Sequence, residues 1–146
     1  YHLGLCYREG DGVEQDYTQA AHWWSKAAEQ DNIAAQSNLG YCYLYGFGVE
    51  QDYEKALYWI AKAAEQGDAE AQHNLGYCYL EGEGVEKDEK AAIYWLAKAT
   101  EQGDAQAQYG LRASGICIVK PSNRVMLVLK MIWATAMRME WVWRSI

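Results

Sequence analysis

The chain has 146 residues, of which 51% are hydrophobic and 23% are charged, a balance typical of a globular protein rather than a disordered one. The formal net charge at pH 7 is -7, and residues 1–114 hold 8 Lys and Arg against 19 Asp and Glu. Because an acidic body repels phosphates, these numbers argue against nucleic-acid binding.

A block of 36 residues recurs along the chain, and this period predicts the architecture. The units cover about residues 1–32, 33–68 and 69–104, and a partial unit covers residues 105–112. Such a period is typical of stacked units of one fold, whose function lies on a shared surface rather than in one pocket. In the second unit, the recurring positions are Leu39, Gly40, Tyr43, Gly46, Gly48, Val49 and Trp59.

Each unit is predicted to contain two helices, which the second unit illustrates. Apolar residues at three- and four-residue spacing predict a first helix over about residues 34–45, which Gly46 and Gly48 end because glycine adopts positive φ. Asp52 fits the N-cap of a second helix that runs to about residue 66. The same place in the first and third units is held by Asp16 and Asp88. Short loops make consecutive helices antiparallel neighbours, so the chain is predicted to be an all-α solenoid of stacked helix hairpins.

Small and large residues alternate where the predicted helices pack. Gly40 and Ala63 recur where two helices must approach closely, and Tyr43 and Trp59 recur where a gap must be filled. We therefore expect Trp59 to be a core residue, whose truncation to alanine costs about 3–5 kcal/mol of stability.

The placement of cysteine and histidine argues against disulfides, metal sites and catalysis. Cys6, Cys42 and Cys78 hold one equivalent position per unit, and neighbouring helix axes lie ~8–10 Å apart, beyond the ~7 Å Cα limit of a disulfide. We expect them to be reduced packing residues, which favours a cytoplasmic location. The sequence has no Cys-x-x-Cys motif and no Cys–His pair at metal spacing, so we predict no metal, no cofactor and no enzymatic activity.

The recurring residues resemble the Sel-1-like repeat, a relative of the tetratricopeptide repeat. The pattern A-x-A-Q-x-x-L-G-x-x-Y-x-x-G-x-G-V, followed by K-A-x-x-W-x-x-K-A-A-E-Q-G-D, covers residues 1–112. The resemblance implies a right-handed α–α superhelix with a concave inner surface, and a non-catalytic adaptor that assembles protein complexes. A secreted branch of the family, linked to β-lactam binding or hydrolysis, is the alternative. That branch carries two paired cysteines per repeat, whereas this chain has one.

If the first helix of each unit lines the concave wall, one of its faces is the candidate partner-binding surface. In the second unit this face holds Ser37, Tyr41, Leu44 and Tyr45, at positions i, i+4, i+7 and i+8. The equivalent positions in the other units are His73, Tyr77, Leu80 and Glu81, together with Arg8. Aromatic and apolar groups with acidic edges suit an extended peptide or a helical segment with basic flanks. The sequence leaves open the alternative that Tyr41 and Tyr77 mainly cover the stack.

Residues 113–146 form a hydrophobic, basic tail for which three explanations compete. The tail is a hydrophobic capping helix, a basic amphipathic membrane-binding helix with Lys130, Arg138 and Arg144, or a further repeat in the wrong reading frame. Its apolar segment is too short and too charged for a membrane span, so no membrane partner is expected. The same segment favours non-specific association.

The reading-frame hypothesis rests on Met and Trp, each of which has a single codon. If the reading frame shifts by one base, the last base of each codon joins the first two bases of the next codon. The codons of Met and Trp end in G, so the codons of Trp133, Met139 and Trp141, each joined to the codon that follows, must encode glycine in the shifted frame. These three glycines are spaced six and two residues apart. The same spacing separates Gly76, Gly82 and Gly84. We therefore favour a frameshifted repeat, with the alternative function of a truncated product whose tail has no selected role. The first unit also lacks the start of its helix, so we expect preceding sequence, and the cell compartment is not determined.

Overall fold

The computed structural model describes residues 1–113, and within them every regular element is an α-helix. The helices are α1 (His2–Glu9), α2 (Tyr17–Glu29), α3 (Ile33–Tyr45), α4 (Tyr53–Glu65), α5 (Ala69–Glu81), α6 (Glu89–Glu101) and α7 (Ala105–Ala113). Each helix packs against the next one, and the result is the predicted all-α solenoid of helix hairpins. The three interpretations of the tail, including the frameshift hypothesis, concern residues after position 113, which lie outside the described part of the chain.

Capping side chains fix where α2 to α7 begin, and glycines fix where α1, α3 and α5 end. The Asp52 carboxylate accepts a hydrogen bond from the Lys55 backbone N–H at 3.1 Å, and Asp16 and Asp88 cap α2 and α6 in the same way. Gly46 follows α3 with a φ of 74°, a left-handed conformation that glycine adopts without steric penalty. The predicted bounds of the two helices in the second unit are confirmed to within one residue.

The close approach of helices within each hairpin depends on a glycine of the odd-numbered helix. A Cβ atom at Gly40 would lie 2.5 Å from Ile60 Cγ1 and 3.1 Å from the Ile60 backbone nitrogen. The other two pairs of this kind are Gly4 with Trp24 and Gly76 with Leu96. The predicted pairing of small residues with large ones is therefore confirmed, but the large partner follows the predicted position by one residue.

The prediction that Trp59 is a core residue is confirmed only in part, because Trp59 packs against a core cluster without being fully buried. Ile60 is fully buried, whereas Trp59 is half-buried at the edge of the core cluster around Leu39. The Lys62 ammonium lies 5.7 Å from the centroid of the Trp59 ring. Trp59 and Ile60 are adjacent in α4, and their side chains point about 100° apart. Both residues recur as large apolar positions in every unit, so the repeat pattern does not show which of them faces the partner helix.

Glutamine side chains connect successive units in a way that the sequence analysis missed. Gln66 Nε2 donates to Gln36 Oε1 at 2.8 Å, and Gln36 Nε2 donates to the carbonyl of Ala28 at 3.2 Å. Gln102 and Gln72 repeat the amide pair one unit later, also at 2.8 Å. Because Gln36 is fully buried, its amide needs these partners.

The repeat cysteines of α1, α3 and α5 are free thiols. Cys42 and Cys78 are buried among core residues, and burial raises the pKa of these thiols to about 11 and about 12. Thiols with such pKa values are neutral at physiological pH, and Cys42 and Cys78 act as small apolar packing groups.

The odd-numbered helices form the inner wall of the stack. α3 contacts α5, and α5 contacts α7, whereas no such contact joins α2, α4 and α6 within residues 1–113. Closer spacing of the odd-numbered helices means that the stack curves toward them. Their solvent-facing sides therefore converge on one groove.

Candidate functional site

A continuous groove runs along the inner wall from α1 to α7. It consists of three adjoining cavities of about 320, 340 and 440 Å³. The first and second cavities share Tyr41 and Glu70, and the second and third share His73 and Asn74. The groove therefore crosses the boundaries between units and is a property of the stack rather than of one repeat.

The groove face of α3 is rotated from the face that the sequence predicted. Tyr41 and Tyr45 are 39% and 44% exposed, but Ser37 and Leu44 are only 3% and 1% exposed. Asn38, which was not predicted, lines the first cavity. Successive helical residues are about 100° apart, so a face built on positions 38, 41 and 45 is turned by roughly 50° from the predicted one.

This rotation has a packing cause. α3 contacts α2, α4 and α5, so only a narrow strip of the helix is left for solvent. Leu44 belongs to the core cluster that also holds Ala56, Ile60 and Leu75, between the second and third units. The prediction that Ser37 and Leu44 contact a partner is therefore wrong, since neither side chain reaches the groove surface.

The other predicted positions divide between the groove and its margins. His73 and Tyr77 line the third cavity, and Arg8 lines the first. Leu80 is half-buried and Glu81 is exposed, but neither residue lines the three cavities. They occupy the last two positions of α5, one turn beyond Tyr77.

Four exposed aromatic rings, Tyr17 of the first unit and Tyr41, Tyr45 and Phe47 of the second, form a cluster across the boundary between these units. The ring centroid of Tyr41 lies 4.6 Å from that of Tyr45 and 5.8 Å from that of Phe47, and Phe47 stacks on Tyr17 at 5.5 Å. Each of the four rings is 39–44% exposed. Aromatic side chains that pack together and still face solvent are typical of binding surfaces.

Part of this aromatic cluster was missed by the sequence analysis. Phe47 lies in the turn after α3, a place that is acidic in the other two units, and this exception to the repeat was an available signal. Burial, together with the neighbouring Tyr41 and Glu83 side chains, raises the pKa of Tyr45 to about 12. The Tyr45 hydroxyl therefore stays protonated and can donate a hydrogen bond to a ligand.

Asn74 and its counterpart Asn38 place side-chain amides in the groove. Asn38 lines the first cavity, and Asn74 lines the second and third. Asn74 is 7% exposed, and its Nδ2 has no hydrogen-bond partner within residues 1–113. A buried donor without a partner lowers the stability of the fold by about 1–3 kcal/mol. A ligand that accepts a hydrogen bond from this donor removes that penalty, which adds to the free energy of binding. Asparagine at 36-residue spacing was a signal for this position, but the predicted face excluded it.

Glu70 places a carboxylate between the first and second cavities. Burial raises the pKa of Glu70, the Asp68 and Asp104 carboxylates raise it further, and the Arg8 and His73 side chains lower it. Part of its surface is exposed, but the groove walls displace water from the carboxyl group and disfavour its charge. Glu70 forms no ion pair with any residue of the described part.

The described residues contain neither a cluster of metal-ligating side chains nor a membrane-spanning helix. No group of three His, Cys, Asp or Glu side chains within residues 1–113 is arranged to hold a metal ion. Among the described helices, none is long and apolar enough to cross a membrane. The groove instead presents aromatic, amide and carboxylate groups, which bind through packing, hydrogen bonds and charge.

Solved structures share this architecture. The chain is 43% identical, with a TM-score of 0.73, to a protective antigen present in uropathogenic Escherichia coli strains that displays an SLR fold; the match covers 79% of this chain and 25% of that one. It is 40% identical, with a TM-score of 0.72, to a Sel1 repeat protein from Oxalobacter formigenes, and this match covers 85% of this chain and 52% of that one. The chain thus spans about a quarter and about half of these proteins. No curated protein matches it.

The repeat pattern also matches a family model. The model of the Sel1 repeat matches residues 1–32, 33–68 and 69–104, with the same bounds as the units that the period predicts. Proteins with this repeat are typically scaffolds for protein–protein interaction. These three matches cover most of the chain, which therefore belongs to the Sel1 repeat family.

Proposed function

We propose that this protein is a non-catalytic scaffold or adaptor that binds a peptide or helical segment of a partner protein in the inner groove. The exposed cluster of Tyr17, Tyr41, Tyr45 and Phe47 is the observation that carries the proposal. Aromatic side chains supply a large contact area and lose little conformational entropy on binding, so they dominate the energetics of many interfaces.

The exposed aromatic area can contribute a large part of the free energy of an association. Aromatic side chains bury ~150–250 Å² each when fully covered, so four rings at 39–44% exposure leave on the order of 300 Å² accessible. Covering that area contributes on the order of 7 kcal/mol before the entropic cost of association is subtracted. Association costs ~4–15 kcal/mol, so the four rings supply part of the binding free energy and the hydrogen-bonding and charged groups of the groove must supply the rest.

Charge in the groove favours a protein over a nucleic acid or a membrane as the partner. Glu70 and Asp104 line the second cavity and repel phosphate groups. Arg8 is the one Lys or Arg side chain that lines the three cavities, and it already lies 2.6 Å from the Glu9 carboxylate. A phosphate-rich surface would therefore meet net repulsion.

A peptide selection tests the proposal. A random decapeptide display library selected against the purified full chain provides the probe, and the Kd of a selected synthetic peptide is measured by fluorescence anisotropy. Replacing Tyr41 and Tyr77 together by alanine is expected to weaken binding at least about 10-fold, because hot-spot aromatic groups each contribute more than ~1 kcal/mol. Tyr58→Ala is the matched control, since Tyr58 is 61% exposed on α4 and lines none of the three cavities.

Circular dichroism separates a loss of binding from a loss of folding. If the Tyr41→Ala, Tyr77→Ala variant melts like the wild type and binds poorly, the two rings act in recognition. Global unfolding of that variant would mean that Tyr41 and Tyr77 mainly cover the stack, and the proposal would be wrong. An equal loss of affinity in Tyr58→Ala would also contradict it.

A further inference from the structure

The middle cavity of the groove carries negative charge that the described residues leave unpaired. It has a volume of about 340 Å³ and is lined by Tyr41, Glu70, His73, Asn74, Asp104, Ala105 and Gln106. Asp104 is partly committed to the fold, because its Oδ1 accepts a hydrogen bond from the Ala107 backbone N–H at 2.7 Å. Glu70 has no such role, since no hydrogen bond or ion pair joins it to another side chain within residues 1–113.

The fold does not require a carboxylate at position 70. The equivalent positions of the neighbouring units hold Ala34 and Gln106, so packing of this helix turn tolerates a small side chain or a neutral amide. Glu70 is exposed overall and shares this cavity with Asp104. Partial burial of its carboxyl group and the Asp68 and Asp104 carboxylates raise its pKa, the Arg8 and His73 side chains lower it, and the net shift is upward, so a further cation beside it favours the charged carboxylate. Glu70 lies in the first turn of α5, where the helix N-terminus favours negative charge, so a carboxylate at this position is compatible with the fold without being required by it.

Asn74 provides a second and independent indication of a ligand in the same cavity. Its side chain is more than nine-tenths buried, and its Nδ2 donor has no partner within the described part of the chain. The backbone carbonyl of an extended segment that lies along the groove is a suitable acceptor for this amide. Charge and hydrogen bonding thus converge on one place.

We infer that the middle cavity binds the lysine or arginine side chain of the partner segment, whose backbone carbonyl accepts a hydrogen bond from Asn74 Nδ2. This inference rests on the function proposed above. The cation neutralises the excess negative charge of Glu70 and Asp104, and the Tyr41 ring at the rim of the cavity adds a cation–π contact. A methylene stem on the bound side chain packs against the same ring.

The flanking cavities determine what surrounds the basic residue. The first cavity is bordered by Tyr17, Tyr41 and Phe47, and the third by Tyr45, Tyr77 and Tyr109. The axes of helices in contact lie ~8–10 Å apart in general, and α3 contacts α5 as α5 contacts α7; this spacing corresponds to roughly three residues of an extended chain. The expected pattern in the partner is therefore a basic residue with an aromatic or aliphatic residue roughly three positions away on each side.

The test compares Glu70→Gln with wild type in the same decapeptide selection. Gln106 shows that glutamine fits this place in the fold, so the variant is expected to fold. Wild-type protein is expected to enrich peptides with one Lys or Arg between apolar residues, and Glu70→Gln is expected to lose this enrichment while still selecting the apolar positions. Glu65→Gln is the matched control, because Glu65 is exposed at the end of α4 and lines none of the cavities.

A double-mutant cycle tests whether the basic residue of the peptide contacts Glu70. Replacing the basic residue of a selected peptide by norleucine is expected to weaken binding to wild type about 10-fold and to Glu70→Gln by less than about 2-fold, as for coupled residues. If the norleucine peptide loses equal affinity for both proteins, the cation binds elsewhere and the inference is wrong. If peptides bind through Tyr41 without enrichment of Lys or Arg, the inference fails and the proposed function stands. If no peptide binds, both are wrong.

Discussion

Gly40→Ala is expected to destabilise the protein, although alanine is the better helix former. Gly40 lies in the middle of α3 and faces α4. A methyl group on it would lie 2.5 Å from Ile60 Cγ1, 3.1 Å from the Ile60 backbone nitrogen and 3.2 Å from the Ala56 carbonyl oxygen. The isoleucine side chain can rotate away, but the two backbone atoms can move only if the α3–α4 hairpin opens.

Two opposing terms set the size of the effect. Replacing glycine by alanine inside a helix gains about 1 kcal/mol. Inserting a methyl group into a packed interface costs about 1–3 kcal/mol, and the cost lies at the upper end when backbone atoms must shift. Since two of the three nearest atoms belong to the α4 backbone, we expect a net loss of about 1–2 kcal/mol in the free energy of unfolding.

Thermal unfolding followed by circular dichroism measures this loss, with Gly110→Ala as the matched control. A Cβ atom at Gly110 would lie 3.8 Å from the nearest atoms of Leu96, an ordinary contact, so this variant is expected to keep the gain in helix propensity. Gly40→Ala is expected to lower the Tm by roughly 4–8 °C and Gly110→Ala to raise it. If both substitutions raise the Tm equally, the close approach of α3 and α4 does not constrain position 40, and the reasoning is refuted.

Ile60→Ala is expected to cost about 2–5 kcal/mol in urea unfolding and Trp59→Ala clearly less, because only Ile60 is fully buried; the reverse order would contradict the packing described above. Gln66→Ala removes the donor that lies 2.8 Å from Gln36 Oε1 and is expected to cost about 1–3 kcal/mol; an unchanged urea midpoint would show that water replaces this donor. The raised pKa of Glu70 means that its carboxyl holds a proton more tightly in the folded chain than in the unfolded one, so its ionisation destabilises the fold as pH rises through the folded-state pKa. The Tm of Glu70→Gln is therefore expected to exceed that of wild type at neutral pH, and the excess is expected to shrink below the usual pKa of glutamate; an excess independent of pH would refute this assignment. We propose that residues 113–146 are a frameshifted repeat, and their coding DNA is expected to encode the leucine and tyrosines of the repeat, as well as its glycines, in the shifted frame; their absence would exclude it.

The 36-residue period predicted part of the groove surface but not its edges. The period identified the inner helices and placed Tyr41, Tyr45 and Tyr77 on their exposed side, which the structure confirms. It could not place the edges of that face, because the 3.6-residue turn fixes only the relative directions of side chains. The burial of Ser37 and Leu44 depends on how α3 is rotated between its three neighbouring helices, and that rotation is decided by contacts with other units.

The sequence predicted the fold class, the helix bounds of the second unit and the N-caps Asp16, Asp52 and Asp88, because capping residues and glycines act locally and recur with the period. Which other residues share the groove with the predicted aromatic side chains depends on how the units stack. Phe47 joins Tyr17 from another unit, and Glu70 meets Asp104 across the boundary between units. Residues that the period separates by about one unit become neighbours only when the hairpins stack, so the chemistry of the groove is not visible in any single repeat.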